Sequence, residues 1–265
     1  MITFSIVTVT YNAASVLRAT LDSVLAQDYP EVEHIIVDGA SGDDTLRMVD
    51  EYVSRSEQAE TGHRIVVVSE PDRGIYDAMN KGLSKATGDY ISFLNAGDRL
   101  PSGETLSGIA LAAEGVADGE WPAVLYGDTD IVDEAGRFLF HRRLSPPDHL
   151  SWRSFRHGML VCHQAFYART DIARSVPYDT RYRFSADVDW CIRVMKEAGQ
   201  RGLRLQRVSG VVAHYLQEGA TTRHHRRSLL ERFRVMTVHY GWLTTIMMHG
   251  WFVIRGIVGK IKNKG

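Results

Sequence analysis

The sequence predicts an α/β fold: a mostly parallel sheet flanked by helices, with a C-terminal helical extension. Three observations carry that expectation. Apolar, strand-like runs alternate four times with helix-patterned segments over the first hundred residues, which calls for parallel strands joined by helical crossovers. The chain of 265 residues is long enough for one large domain with a full core and a small appendage. Finally, the run Tyr90-Ile91-Ser92-Phe93-Leu94 leads straight into Asn95-Ala96-Gly97-Asp98, delivering a carboxylate to the strand end, where open α/β sheets bind ligands.

The elements follow in order. Residues 3–9 form an apolar, β-branched run that turns at Thr10-Tyr11-Asn12-Ala13. Leu17, Leu21, Val24 and Leu25 then share one helical face before Gln27-Asp28-Tyr29-Pro30 closes the element. A second strand, His34 to Val37, runs into Asp38-Gly39-Ala40-Ser41-Gly42-Asp43-Asp44-Thr45, and a helix follows with Leu46, Val49 and Val53 spaced for burial. Ile65 to Val68 make a third strand and Ile75 to Ala86 a third helix; Gly88-Asp89 opens the strand that ends at Asn95. Beyond Asp98 the pattern changes. A helix is expected over 103–114, a short strand from Ala123 to Tyr126 ending at Gly127-Asp128, and then irregular segments broken by Pro146-Pro147. A helix is expected from Asp187 to Ala198 and two short strands over 203–214.

The net charge of −1 gives no overall reason to expect nucleic acid as a partner. The charge is unevenly placed, however. Arg223, Arg226, Arg227, Arg232 and Arg234 crowd together with only Glu231 opposing them, and Lys260, Lys262 and Lys264 load the C-terminus. The tail from Leu243 to Ile261 is apolar, but His249, Gly250, Arg255, Gly256 and Gly259 break it into runs too short to span a bilayer. An interfacial helix at the inner face of a membrane is one reading; packing on the protein's own core or on a second subunit, as in a homo-oligomer, is the other. Two cysteines without metal-site spacing, and an N-terminus that opens directly into a strand, suit a cytoplasmic protein.

Several constellations are candidates for chemistry. The first strand ends without a glycine-rich loop, so neither a dinucleotide fingerprint nor a P-loop is present. A nucleotide would instead find a ring at Tyr11, beside Thr10 and Asn12, and a carboxylate at Asp38; turn chemistry explains each of these equally well. Glu70-Pro71-Asp72-Arg73-Gly74 joins a strand to a helix, so free amides and Arg73 meet the ligand edge, while Asp77 and Lys81, one turn apart near Asn80, either line a site or pair on the surface. Asp98 can share a hard cation with substrate phosphates, with Asn95, Ala96 and Gly97 shaping the turn. Phe184-Ser185-Ala186-Asp187-Val188-Asp189-Trp190 offers either a general base or a Ser185-capped helix with first-turn acids.

Taken together, these stretches resemble glycosyltransferase family 2, whose members have the GT-A fold. Ser5-Ile6-Val7-Thr8-Val9-Thr10-Tyr11-Asn12, Ile35-Ile36-Val37-Asp38-Gly39-Ala40-Ser41-Gly42-Asp43 and Ala78-Met79-Asn80-Lys81-Gly82 look like its nucleotide-binding half. Gly88 to Asp98 looks like its strand leading to the DxD motif, in a form similar to colanic-acid-type transferases. Ala186-Asp187 stands where the family often has Glu-Asp, and Gln217 to Thr221 resembles the loop before its last helices. The likeness spans about residues 3–240 and divides the chain into a catalytic domain, 1–222 (donor half 1–98, acceptor half 99–222), and a helical extension, 223–265.

The resemblance implies inverting transfer from a UDP-, GDP- or dTDP-sugar to a glycan or lipid-linked acceptor. Tyr11 and Asp38 would hold the base, and Asp98 a divalent manganese or magnesium ion on the diphosphate. Asp187 would be the base, with Asp189 its competitor. From the residues themselves, His163 and Gln164 either border the acceptor, as Trp190 could, or form a buried polar pair, and His214 is either a further metal ligand or a core or surface histidine. Two departures stand out: Asn95 replaces the first Asp of DxD, and Ala186 replaces Glu. The rival readings are a nucleotidyltransferase of related fold, which usually carries a glycine-rich basic loop absent from Thr8 to Ala14, and a non-catalytic nucleotide-sugar-binding module.

Overall fold

A computed structural model describes residues 1–115, 120–217 and 225–262, apart from the side chains at 225, 226, 253 and 255–262. The first four strands are β1 (Phe4–Thr10), β2 (Val32–Asp38), β3 (Arg64–Ser69) and β4 (Tyr90–Phe93). Between them run α1 (Ala14–Leu25), α2 (Thr45–Gln58) and α3 (Ile75–Lys85). The strands pair in parallel in the order β3-β2-β1-β4, with Thr10 opposite Asp38, so the N-terminal part of the sheet has the predicted form.

The second half contains α4 (Thr105–Glu114), β5 (Val124–Val132), β6 (Phe138–His141), β7 (Phe166–Arg169), α5 (Thr170–Ser175), α6 (Ala186–Gln200) and β8 (Leu205–Leu216). It continues the same eight-stranded sheet through β4-β7-β5-β6, with β8 parallel to β5. Here the pairings β4–β7, β7–β5 and β5–β6 are antiparallel. The two short strands expected over 203–214 are one strand of 12 residues, and β5 runs past Gly127-Asp128 to Val132. The reason is local. A side chain at Gly127 would strike both methyls of Val212 at 2.8 Å, so glycine lets β8 pass closely, and Gly210 (φ 88°) absorbs the register shift. A glycine that reads as a strand end is instead a bulge inside a continuous ladder.

Leu17, Leu21, Ile36, Val49 and Tyr52 seal α1 and α2 onto the sheet, and a larger core lies among α3, α4, α6 and the strands. Trp190, on α6, is fully buried: it stacks on Tyr178 at 4.9 Å and meets Phe93 and Phe166 edge-on at 5.4 and 5.6 Å. That aromatic knot ties the first turn of α6 to the end of β4, and so sets the distance between the two halves of the site. Helices α7 (His225–Tyr240) and α8 (Trp242–Lys262) complete the chain. The domain boundary expected at 222, and Glu218 to Thr221 of the expected loop, lie outside the described residues, as does Arg223.

Candidate functional site

A cleft of about 520 Å³ opens where β1 and β4 end and α6 begins, lined among others by Tyr11, Tyr76, Asn95, Asp98, His163 and Asp187. The strand-end turn is tightly built. Gly97 has φ 99°, its amide donates to Thr20 Oγ1 (2.8 Å), and a Cβ there would lie 2.7 Å from Leu216. Only glycine combines that backbone with that approach. The turn carries Asp98 into the interior, where its carboxylate accepts from Gln164 Nε2 (2.6 Å) and from the Leu216 amide on β8 (3.0 Å). Burial pushes the carboxyl up to about 6, against the pull of these two donors.

Asn95 and His163 link this turn to Asp187. Asn95 Nδ2 lies 3.1 Å from His163 Nε2. An amide nitrogen can only donate, so Nε2 accepts and the ring proton sits on Nδ1, which faces Asp187 Oδ2 at 3.4 Å. Tyr76 donates its hydroxyl to the other oxygen, Oδ1, at 3.1 Å. Burial by itself would raise the Asp187 carboxyl, but the His163 hydrogen bond and the Arg232 guanidinium together bring it below its ordinary value. Asp187 is therefore an ionised carboxylate at neutral pH, held at both oxygens.

The start of α6 is held from α7. Ser185 occupies the expected cap position, but its hydroxyl bonds the Ser228 carbonyl (3.2 Å) and caps nothing. Glu231 anchors the segment that leads into the helix: its carboxylate accepts from the backbone amides of Arg183 (3.0 Å), Phe184 (2.7 Å) and Ser185 (3.1 Å). Glu231 was legible only as a lone acid among arginines, and no local signal marks its role. Its neighbour Arg232 lines the cleft, and among the described arginines of the cluster this one reaches the site. Tyr76 is likewise a site residue that periodicity alone marks as core.

Most other expected site residues are engaged with partners of their own, and Tyr11 stands at the cleft's edge. Asp38 is fully buried, its carboxylate taken by the Ser41 amide (2.9 Å), the Ser41 hydroxyl and the Ser69 hydroxyl (2.7 Å); it shapes the loop and does not line the cleft. Asn12 does similar work, in the left-handed region (φ 47°), accepting from the Gly42 amide. Tyr11 stands 65% exposed beside Gly39, with Asp72 at the same point. Arg73 and Asp77 pair with each other (3.2 Å), and Asp77 also accepts the Arg73 amide. Lys81 binds Glu70 (3.0 Å) and the Pro71 carbonyl rather than Asp77. Asn80 is spent on both backbone groups of Tyr178. These residues brace the loop between β3 and α3.

On the acceptor side, Asp189 turns away from the cleft to Arg193 (2.6 Å) and His239 (2.8 Å), which hold its carboxyl low despite burial. Trp190 is core. His214 pairs through its backbone with Arg99, and its ring does not line the cleft. Among the described residues no three His, Cys, Asp or Glu side chains gather to hold a metal. Three of the described residues that line the cleft each carry a buried polar atom without a hydrogen-bond partner: Thr10 Oγ1, Asn95 Oδ1 and Arg232 Nε. Buried polar groups are rarely left unpaired without a reason.

Comparison with known proteins agrees with this geometry. A family model described as glycosyl transferase family 2 matches residues 5–174. A PGL/p-HBAD biosynthesis glycosyltransferase of Mycobacterium tuberculosis is 34% identical over 191 residues, covering 72% of this chain and 68% of that protein. The amylovoran biosynthesis glycosyltransferase AmsB of Erwinia amylovora is 29% identical over 218 residues, covering 81% and 69%. Among solved structures, S. aureus TarS 1-349 in complex with UDP-GlcNAc superposes with TM-score 0.68 at 19% identity, covering 89% of this chain and 65% of that one. The mannosyltransferase PcManGT from Pyrobaculum calidifontis, in complex with GDP-Man and Mn2+, gives TM-score 0.58 at 22% identity, covering 87% and 63%. The fold is that of these GT-A proteins, and the chain belongs to glycosyltransferase family 2.

Proposed function

We propose that this protein transfers a sugar from a nucleoside-diphosphate donor to a hydroxyl of a glycan or lipid-linked acceptor, in one displacement that inverts the anomeric carbon. One observation carries the reading. An ionised carboxylate, Asp187, and a strand-end carboxylate, Asp98, share one cleft with three residues, Thr10, Asn95 and Arg232, that each carry a buried polar atom without a partner. The names of the relatives, from PGL/p-HBAD and amylovoran biosynthesis, support an acceptor of this class.

In this scheme the acceptor oxygen forms a bond to the anomeric carbon as the bond from that carbon to the diphosphate oxygen breaks. The acceptor proton passes to Asp187, which Tyr76 and His163 hold in place from both sides. The nucleoside diphosphate leaves. Arg232 provides a cation for its growing negative charge, and Tyr11 a face for the base. Asn95 Oδ1 and Asp98 fit a divalent cation of the magnesium or manganese type completed by donor phosphates, since one is an unpartnered oxygen and the other a carboxylate. Such an ion would offset charge on the departing diphosphate.

The test is donor turnover. Wild type should release nucleoside diphosphate from one of a panel of UDP-, GDP- and dTDP-sugars with manganese or magnesium present, and Asp187→Asn should not. A donor that raises the melting temperature yet is never turned over would make the chain a binding module. Release of pyrophosphate in place of nucleoside diphosphate would make it a nucleotidyltransferase.

A further inference from the structure

Helix α8 has two unlike faces. Thr245, Met248, His249 and Phe252, spaced at i, i+3, i+4 and i+7, point inward; Thr245 is buried, and His249 meets Phe233 of α7 at 4.9 Å. The other face is apolar and open. Trp242, Leu243, Ile246, Met247, Trp251 and Ile254 are all exposed, Leu243 by 77% and Met247 by 69%. Leu230 and Val238 on α7 are exposed as well. Among the described residues no helix is long and apolar enough to cross a membrane. Exposed apolar side chains in such a row mark a contact surface.

The charge identifies the partner. Residues 223–265 carry nine Lys or Arg against one Glu, whereas the rest of the chain carries 22 against 31. A near-neutral protein thus places a +8 segment on an acidic body. The acidic body of a second copy would offer charge complementarity, but the exposed apolar run among its described residues, Phe138-Leu139-Phe140, lies on an edge strand of four residues, too short to cover the six exposed side chains of α8, and two α8 faces apposed would bring two +8 segments together. A surface that is both apolar and anionic satisfies both features at once. Tryptophans at positions 242 and 251 suit the polar–apolar boundary of such a surface.

We infer that the open face of α8 docks this protein onto an anionic lipid bilayer, lying in the headgroup region without crossing. This inference stands apart from the catalytic reading, because none of the docking residues lines the cleft. Each basic residue near an anionic surface strengthens attraction about fivefold, and the apolar face supplies the part that salt does not screen.

The experiment is co-sedimentation of the full chain with phosphatidylcholine vesicles, with and without phosphatidylglycerol, read alongside tryptophan fluorescence. Anionic vesicles should bind at least about tenfold more tightly and shift the emission to the blue. Leu243→Glu with Met247→Glu should cut binding by about tenfold or more at unchanged melting temperature, since both side chains are exposed in the free protein. Equal binding to both vesicle types would overturn the inference, as would retained binding by the double variant or an emission spectrum that vesicles do not move. A dimer in light scattering that the same variant dissociates would overturn it too, and would make a second copy the occupant. If the double variant does not fold, the wild-type fluorescence shift alone decides.

Discussion

Glu231 lies outside the cleft, yet the structure makes it the residue that sets the position of Asp187. Its carboxylate takes three successive backbone amides, at 3.0, 2.7 and 3.1 Å, at the point where the chain enters α6. A hydrogen bond to a charged acceptor is worth about 1.5–3 kcal/mol. The three bonds share one carboxylate and water can reach part of the site, so Glu231→Ala should cost about 3 kcal/mol in all. In a domain of this size that corresponds to a fall in melting temperature of about 6–10 °C. Asp187 sits two residues beyond the last of these amides, and a shift of about 1 Å at a catalytic group can cost about a hundredfold in rate. Thermal unfolding together with donor turnover measures both effects. Arg234→Ala, an exposed change one turn along, is the control and should alter neither. A Glu231→Ala protein that melts within a degree of wild type and turns over normally would refute the idea that α7 positions Asp187.

Further outcomes follow from the same contacts. His163→Ala removes the hydrogen bond that lowers the Asp187 carboxyl, so the acid limb of the pH–rate profile should move to higher pH; an unmoved limb would detach His163 from Asp187. His34 is buried between Thr8 and Tyr52, and burial pushes its imidazole down to about 3. The unfolded chain takes up a proton as pH falls below about 6.5 while the folded chain does not, so stability should drop by about 1.4 kcal/mol per pH unit from there towards pH 3. Denaturant unfolding at successive pH values reads that slope, and His34→Gln should flatten it. Trp190→Ala empties the aromatic knot and should cost about 3–5 kcal/mol in the same assay; a smaller loss would mean that Tyr178 and Phe93 collapse into the space.

Where function needs backbone geometry, the sequence is explicit. Alternating strand and helix patterns announce the parallel half of the sheet, and Gly97 before Asp98 announces a sharp turn carrying an acid, because both depend on neighbours in the chain. Asp187 at the head of a helix is legible for the same reason. The choice between Asp187 and Asp189 is not. Residues two apart on a helix face different ways, and which of them meets the cleft depends on Trp190 locking into Phe93, Phe166 and Tyr178. Asp38, Asn80 and Lys81 look like ligand-binding groups from their chemistry, and the sequence does not show the partners that folding brings to each from elsewhere. Glu231 and Arg232 act across more than forty residues of chain, on α6 and in the cleft, and no spacing rule spans that distance. The depleted turn Asn95 to Asp98 is visible as text; that its neutral Asn95 holds His163 with one end and leaves an oxygen free at the other is a property of packing, since a side chain's partners are set in three dimensions.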